Sequence, residues 1–301
     1  MPILCRKKNF SQDGELLIRA GGSPRVPVVL VWWLLLLLLL AACSVSLMSP
    51  GRAAAHAANS RGGKSLRVMT YNIHVGIGMD RRLDLARIAE VINRERPDLV
   101  GLQEVDRGVE RTHRVDQIGE LARLTRMEYA FAHNLNYQGG QYGVAVLSRF
   151  PILALDHRRY ANRREAERRG FLSVEIALGE RRVNFVTTHL DYQFKDGRLF
   201  ETEQLLSALE DISAPLIVVG DFNDEPAGDA YKLMLTRFAD AWGEGQIKGA
   251  GLTYPADRPV KRIDYIFHSK GDGIHIKRAR VIHTSASDHL PLIADCEIER
   301  Q

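Results

Sequence analysis

Cysteine is scarce in this sequence, and repeats are absent. Only three cysteines, Cys5, Cys43 and Cys296, occur in 301 residues, which argues against a disulfide framework and against a cysteine-rich zinc module. Apolar residues (45%) and charged residues (26%) stand at ordinary globular levels. The composition therefore argues against a disordered chain, a collagen-like chain and a multi-pass membrane protein, and the length suits one large domain or two small ones.

Long apolar runs are also missing, except for one near the N-terminus. Val28–Ala42 is a run of fifteen apolar residues, which is shorter than the roughly 20 residues that a membrane-spanning helix needs. Basic residues precede the run, and this order is typical of a secretory signal. The residues Leu40, Ala41, Ala42 and Cys43 at its end resemble the lipobox of bacterial lipoproteins, in which the cysteine carries the lipid.

Three forms of this N-terminal segment stay open: a lipoprotein anchored through Cys43, a soluble protein cleaved near residues 53–57, and an uncleaved anchor. Each of them exports the rest of the chain, so we predict an exported protein that is membrane-associated, periplasmic or extracellular. Residues 1–43 are the predicted signal or lipoprotein leader, residues 44–64 a flexible tether, and residues 65–301 the globular domain.

A surplus of positive charge is absent from that domain. The whole chain carries a net charge of +4, but residues 1–64 hold eight Lys and Arg residues against two Asp and Glu residues. Residues 65–301 therefore hold 33 basic and 35 acidic residues, a net charge of −2. A nonspecific duplex binder is expected to carry a global basic field, which this domain lacks.

Short apolar segments alternate with helical patterns along the domain. Leu66–Tyr71 and Leu216–Val219 are typical of strands, while Leu83–Arg94 and Arg198–Glu210 carry apolar residues at helical spacing. Further strands are predicted at Asp98–Gln103, Gly143–Leu147, Phe171–Leu178, Arg182–Thr188, Arg262–Phe267, Ile274–Ile282 and Leu292–Glu297, and a further helix at Gln117–Thr125. This mixture predicts an α/β sandwich in which sheets pack together and helices lie outside.

Polar residues stand at the ends of several predicted strands. They are Asn72, Glu104, His189, Asp221 with Asn223, and Asp288 with His289. Polar groups at strand ends can gather on one rim of a sandwich, where loops hold functional groups. Glu104 and Asp288 offer hard oxygen ligands, which suit Mg²⁺ or Mn²⁺.

The same region contains the groups that phosphoryl transfer needs. Asp221 and Asn223 alternate along an extended segment, so both side chains face the same way. The carboxylate can orient a water, and the amide can donate to a phosphoryl oxygen. His289 is a candidate acid or base near neutral pH, Asp264 can hold an imidazole in one tautomer, and His189 can donate to a developing phosphorane.

Six short motifs cover the domain from residue 70 to residue 295. In chain order they are TYNIH, GLQEVD, TTHLD, VVGDFND, RIDYIF and SDHLPLIA, and together they resemble the endonuclease/exonuclease/phosphatase superfamily. The resemblance implies a four-layer α/β sandwich of two packed mixed β-sheets flanked by helices, preceded here by the signal or anchor segment. It also implies a catalytic domain that hydrolyses phosphate esters with Mg²⁺ or Mn²⁺, by in-line attack of an activated water and without a covalent intermediate.

The resemblance further implies which residues bind the metal ion. Glu104 would be its principal ligand, Asp288 would support the metal site, and Asn72 would help to bind both the metal and the phosphate. These three residues match the TYNIH, GLQEVD and SDHLPLIA motifs, and they are the predicted metal-binding set.

The other matching residues take catalytic roles by the same resemblance. His189 would contact the scissile phosphate, and Asn223 would bind it. Asp221 would position or deprotonate the attacking water, and Asp264 would pair with His289. Asp221 and His289 both stay candidates for the general base.

Six arginines lie within twelve residues, between two predicted strands. They are Arg158, Arg159, Arg163, Arg164, Arg168 and Arg169. A solvated loop and a local contact to an anionic group are both open. Arg169 stands next to the strand that begins near Gly170, and we predict it as a contact to the substrate phosphate. His74 is interpreted as a surface or packing residue.

Two substrate classes stay open for the predicted hydrolase. A lipid or other small phosphodiester agrees with the lipobox and with the near-neutral domain, so an exported phosphodiesterase is the leading hypothesis. An extracellular or periplasmic endonuclease of the deoxyribonuclease type is the alternative, which the arginine cluster favours. A catalytically inactive binding module is disfavoured because Glu104, Asp221 and His289 are all present. We expect a monomer, attached to the membrane through its N-terminal lipid or anchor.

Overall fold

A computed structural model describes residues 63–212, 215–244 and 249–299. Within these ranges the strands are β1 Lys64–Asn72, β2 Leu99–Arg107, β3 Glu128–Tyr137, β4 Gly140–Ser148, β5 Ile152–Arg159, β6 Gly170–Leu178, β7 Arg181–His189, β8 Leu216–Asp221, β9 Phe238–Asp240, β10 Asp264–Ser269, β11 Ile274–Val281 and β12 Leu292–Ile298. The α-helices are α1 Leu85–Glu95, α2 Gln117–Thr125, α3 Lys195–Ala208, α4 Asp229–Met234 and α5 Ala241–Glu244. Short 3₁₀ turns lie at His74–Gly76 and Glu110–Thr112.

The strands form two six-stranded mixed sheets. The first sheet has the order β11-β12-β1-β2-β4-β3, and the second has the order β5-β6-β7-β8-β10-β9. Among the strands just given, β1 pairs with β2 and β7 pairs with β8 in parallel, while the other pairings are antiparallel. The predicted α/β fold with two packed mixed sheets is therefore confirmed.

Strands buried on both faces explain the continuous apolar runs in the sequence. In β1, Leu66 and Val68 contribute to the core between the sheets, whereas Met69 and Tyr71 pack on the side of α1 and α2. In β8, alternate residues divide in the same way between the core between the sheets and the core beneath α3 and α4. The fold thus has four layers, with one layer of helices on the outer face of each of the two packed sheets.

The two sheets lie in close contact at Gly101 of β2. A Cβ atom on Gly101 of β2 would lie 2.3 Å from Val219 Cγ2 of β8, so only glycine leaves room for this contact. Two residues further along β2, the Gln103 amide donates at 2.9 Å to Oγ1 of Thr187, the register partner of Val219 on β7. This buried hydrogen bond joins β2 to β7 and fixes the relative position of the strand ends.

Several element boundaries differ from the prediction. The strands β3, β5 and β9 were not among the predicted elements, and α1 begins at Leu85 because Asp84 caps it by accepting from the amide of Ala86 at 2.9 Å. Strand β2 does not end at Gln103. It continues to Arg107 through a bulge between Leu102 and Val105.

The predicted leader, the tether and the lipidation residue Cys43 lie outside the described residues. No helix within the described ranges is long and apolar enough to cross a membrane.

Candidate active site

The candidate site lies at the carboxyl ends of the two parallel strand pairs. Asn72 ends β1, and Glu104 lies in the bulge of β2, with a φ of +57°. His189 and Asp221 end β7 and β8 as register partners. Asp264 begins β10 directly opposite Asp221, so each sheet brings polar side chains to one rim.

Asn72 connects the two sheets at this rim. Its Nδ2 donates to Glu104 Oε1 at 3.0 Å and to Asp221 Oδ2 at 3.1 Å. Asn72 is fully buried, whereas Glu104 is half-buried and lines the cleft described below. The bulge explains the difference, because the extra residue turns the Glu104 carboxylate out of the ladder and toward the cleft.

His289 forms an ion pair with two aspartates. Its Nδ1 lies 2.9 Å from Asp264 Oδ2, and its Nε2 lies 3.7 Å from Asp221 Oδ2. Burial alone would lower the pKa of His289, but the Asp264 and Asp221 carboxylates outweigh that effect and raise its pKa to about 10. The Tyr254 ring packs on the imidazole with 4.7 Å between ring centroids. The two aspartates therefore favour the protonated form of this imidazole.

Asp221 lies between two imidazoles. Burial and the neighbouring Asp264 carboxylate raise the pKa of Asp221 above its usual range. His189 Nε2 lies 3.4 Å from Asp221 Oδ2, and the backbone amide of Asn223 donates to Asp221 Oδ1 at 2.9 Å. A carboxylate with a raised pKa beside a cationic imidazole favours Asp221 as the group that accepts a proton and His289 as the group that donates one.

The side chains of His189 and Asn223 place two nitrogen atoms close to each other. Asn223 adopts a φ of +49°, and its Nδ2 lies 3.1 Å from His189 Nε2 and 3.0 Å from the carbonyl oxygen of Leu190. Burial, with further contributions from Arg169 and His289, lowers the pKa of His189 well below its usual value. The surroundings therefore shift the pKa values of His189 and His289 in opposite directions.

Two carboxylates of the site, those of Glu104 and Asp288, face the cleft. Glu104 forms no ion pair with a described residue, and the nearest basic group to Asp288 is His74, whose Nδ1 lies 3.7 Å from Asp288 Oδ1. Carboxylates with an adjacent amide suit a hard divalent cation, so the chemistry of the predicted set of Asn72, Glu104 and Asp288 is compatible with such a cation. A second group, Asp221, Asp264 and His289, offers ligand atoms within 4.8 Å of one another.

These groups line one cleft of about 910 Å³. The predicted residues in its lining are Glu104, Arg169, His189, Asp221, Asn223, Asp288 and His289. Asn72 and Asp264 are buried beneath it, in contact with lining residues. All the predicted site residues in the described part of the chain thus lie together.

Sequence reasoning missed one histidine of this cleft. His74 lines it, whereas the sequence indicated only a surface or packing residue. His74 and Val75 both adopt positive φ angles of +46° and +48°, an arrangement that is rare for residues other than glycine. The only available signal was the position of His74 two residues after Asn72.

Comparison with known proteins identifies the family. The family model described as Endonuclease/Exonuclease/phosphatase family matches residues 69–289. The chain belongs to this family. Membership supports the hydrolysis of phosphate esters and agrees with the divalent-metal dependence of endonuclease/exonuclease/phosphatase proteins.

Individual relatives in this family differ in what they are named for. The uncharacterized protein YbhP of Escherichia coli (strain K12) is 28% identical over 253 residues, which cover 78% of this chain and 97% of YbhP. A putative neutral sphingomyelinase of Caenorhabditis elegans is 27% identical over 269 residues, which cover 71% of this chain and 60% of the relative. The structure of a mannosyl-6-phosphatase of Bacteroides thetaiotaomicron superposes with a TM-score of 0.64 at 18% identity, over 77% of this chain and 99% of that protein.

Proposed function

We propose that the protein is an exported, Mg²⁺- or Mn²⁺-dependent phosphodiesterase that acts on a lipid or another small phosphodiester. One observation carries the proposal: Asp221 Oδ2 lies 3.4 Å from His189 Nε2 and 3.7 Å from His289 Nε2, on the floor of a cleft that the carboxylates of Glu104 and Asp288 also line. Such a floor combines a proton acceptor, a proton donor and a cation site within reach of one phosphorus atom.

Each side chain has a distinct part in this proposal. Asp221 orients the attacking water and accepts its proton, and Asp264 holds the His289 imidazolium that donates a proton to the leaving oxygen. His189 and Asn223 donate to the non-bridging phosphoryl oxygens. Asn72, Glu104 and Asp288 would hold the divalent ion, whose charge stabilises the anionic transition state.

The charges in the cleft favour a diester over a monoester. Three arginines in the lining are already paired with carboxylates, as Arg111–Asp106 at 2.8 Å, Arg169–Glu167 at 3.1 Å and Arg198–Asp224 at 3.6 Å. Among the described residues of the lining, Lys195 and Lys261 have no carboxylate partner. A diester carries a single negative charge and needs less compensation than the dianion of a monoester, and the likeness to a putative sphingomyelinase supports the same choice.

Endonuclease activity is the second candidate, and the arginine cluster motivated it. The arginines of this cluster other than Arg169 are exposed, and three of them form ion pairs with nearby carboxylates, as Arg158–Asp156, Arg163–Glu203 and Arg164–Asp196. These pairs reduce the positive field that a nucleic acid backbone needs. A small phosphodiester therefore stays the preferred substrate.

The activity test uses the full-length protein in detergent with Mg²⁺ or Mn²⁺. The substrates are sphingomyelin in mixed micelles, bis-p-nitrophenyl phosphate, p-nitrophenyl phosphate and supercoiled plasmid DNA. Glu104→Gln and His289→Gln are expected to abolish hydrolysis, whereas the exposed-site controls Glu110→Gln and His275→Gln are expected to keep it. Absence of hydrolysis above the Glu104→Gln background on every substrate would refute the enzyme. Faster cleavage of plasmid than of the diesters, falling steeply with salt, would favour the endonuclease.

Export and anchoring form a separate part of the proposal. The lipobox-like residues before Cys43 support a lipid anchor on an exported domain. Fractionation of cells that express the wild type or the Cys43→Ser variant tests it, and we expect the wild type in the membrane fraction and the variant released from it. A Cys43→Ser variant that stays membrane-bound would refute anchoring through this cysteine.

A further inference from the structure

Arg169 is buried behind the His189 imidazole. Gly170 and His189 are register partners in the β6–β7 hairpin, so the residue before Gly170 lies beside His189. The Arg169 side chain is almost fully buried, and its Nη1 lies 2.7 Å from His189 Nδ1 and 3.1 Å from Glu167 Oε1. The guanidinium therefore packs against the ring nitrogen that points away from Asp221.

The chemistry of this contact determines the tautomer of the ring. A guanidinium has only donor groups and stays protonated in proteins, so His189 Nδ1 must accept the hydrogen bond through its lone pair. The proton of the neutral ring then resides on Nε2, which lies 3.4 Å from Asp221 Oδ2 on the floor of the cleft. The same cation opposes protonation of Nδ1, because a second positive charge would have to form beside it.

The side-chain amide of Asn223 places a second N–H group beside His189 Nε2. Asn223 Nδ2 lies 3.1 Å from His189 Nε2, and it also bonds to the carbonyl oxygen of Leu190, which sets the nitrogen of the amide on this side. Two N–H donors this close cannot bond to each other. An acceptor that lies against both of them, such as a phosphoryl oxygen, satisfies both.

We propose that Arg169 is a positioning residue that fixes the proton of His189 on Nε2, so that this imidazole acts as a hydrogen-bond donor to the substrate phosphoryl group and not as a base. Glu167 supports the arrangement by holding the guanidinium at 3.1 Å. The role differs from the direct phosphate contact expected from the sequence, because Arg169 acts through His189. The substrate part of this proposal rests on the proposed function, whereas the tautomer does not.

The test reads the tautomer directly in the full-length protein. Long-range ¹H–¹⁵N NMR of protein labelled with ¹⁵N-histidine distinguishes a protonated from an unprotonated ring nitrogen, and the His189→Gln variant assigns the signals. We expect a protonated Nε2 and an unprotonated Nδ1 in the wild type at pH 7. A wild-type ring protonated on Nδ1 would overturn the proposal without any variant of Arg169.

Variants then test whether Arg169 determines the tautomer of His189. Arg169→Met removes the donor, and it is combined with Glu167→Gln so that no unpaired carboxylate is left buried; Glu167→Gln alone is the matched control. We expect the double variant to lose the single tautomer and the control to keep it. Arg169→Lys, which also presents only donors, is expected to restore the wild-type pattern.

Kinetics separate positioning from direct binding. Loss of the donor orientation is expected to lower kcat by roughly 10²-fold, the scale of a misplaced catalytic group, with KM within about twofold of the control. A raised KM with unchanged kcat would assign Arg169 to phosphate binding and overturn the proposal, as would an unchanged tautomer in the double variant. Absence of hydrolysis by the wild type would refute the proposed function alone, since the NMR pattern does not depend on turnover.

Discussion

The pair formed by Asp264 and His289 allows the electrostatics of the site to be tested with a change of one charge. Asp264 Oδ2 lies 2.9 Å from His289 Nδ1, and the other carboxylate oxygen, Oδ1, is buried without a hydrogen-bond partner. Asp264→Asn keeps the size of the side chain and an oxygen that can accept from Nδ1–H, while it removes the negative charge.

The expected effect follows from the raised pKa of His289. The rise from the usual 6.5 to about 10 corresponds to about 5 kcal/mol in favour of the imidazolium. Asp264 is the largest of the contributions that raise this pKa, ahead of Asp221 and Asp288. Since a carboxylate at this range shifts a pKa by about 1–3, we expect Asp264→Asn to lower the pKa of His289 by more than ~1.

The sign of the stability effect follows from the same ionisation. Because the pKa of His289 is higher in the folded state, its contribution to stability is complete below about pH 6.5 and is lost as the pH rises through about 10. The wild type should therefore lose more of its free energy of unfolding between pH 7 and pH 10 than Asp264→Asn does. Cys296, with its raised pKa, is common to both proteins and cancels in the comparison. Asp221 does not cancel, because Asp264 helps to raise its pKa to about 7, so the interval from pH 8.5 to pH 10, above most of its titration, gives the cleaner comparison.

Two measurements check this prediction. NMR titration of the His289 ring gives its pKa in each protein, and urea unfolding at pH 7, 8.5 and 10 gives the stability difference. Asp211→Asn, at an exposed position, serves as the matched control. The reasoning fails if the ring titrates at the same pH in Asp264→Asn as in the wild type, or if the two proteins lose equal stability between pH 7 and pH 10.

Three further predictions concern packing, capping and metal. Gly101→Ala should lower the free energy of unfolding in urea by about 1–3 kcal/mol, because the new methyl group would lie 2.3 Å from Val219 Cγ2. Gly243→Ala, whose new methyl group would meet no atom within 4 Å, is the control. Equal losses of stability in the two variants would contradict the close contact of the sheets. Asp84→Ala should lower stability by about 1 kcal/mol through loss of the α1 cap, and an unchanged calorimetric Tm would speak against the cap. Chelation of metal ions with EDTA should stop hydrolysis, and added Mg²⁺ or Mn²⁺ should restore it. Full activity in EDTA would exclude a requirement for a divalent metal ion.

Most of the strands that the sequence revealed are buried on both faces, and β11 at the edge of the first sheet is an exception. In β8 every residue is buried, so the apolar run is continuous. Strand β5 is an edge strand whose Leu153 and Leu155 are both exposed, and it therefore carries no alternating pattern to detect. Strand β3 buries only small residues such as Ala130 and Ala132 among its inward positions, which leaves a weak apolar signal.

The site could be located from the sequence, but its detailed contacts could not. Motifs at strand ends indicated which side chains gather, because parallel strands end at one edge. The bulge that turns Glu104 outward, the positive φ of His74 and the contact of Arg169 with His189 depend on backbone geometry and register. A single sequence contains no periodic signal for such features.

The proposed site exists only where the two sheets meet. The first sheet brings Asn72 and Glu104, the second brings His189, Asp221 and Asp264, and neither set alone combines the cation site with the proton acceptor. The hydrogen bond from Asn72 to Asp221 at 3.1 Å crosses from one sheet to the other. Because this contact forms only after the sheets have packed, a partly folded domain would hold carboxylates and imidazoles too far apart to act on one phosphate, which ties the proposed activity to complete folding of the sandwich.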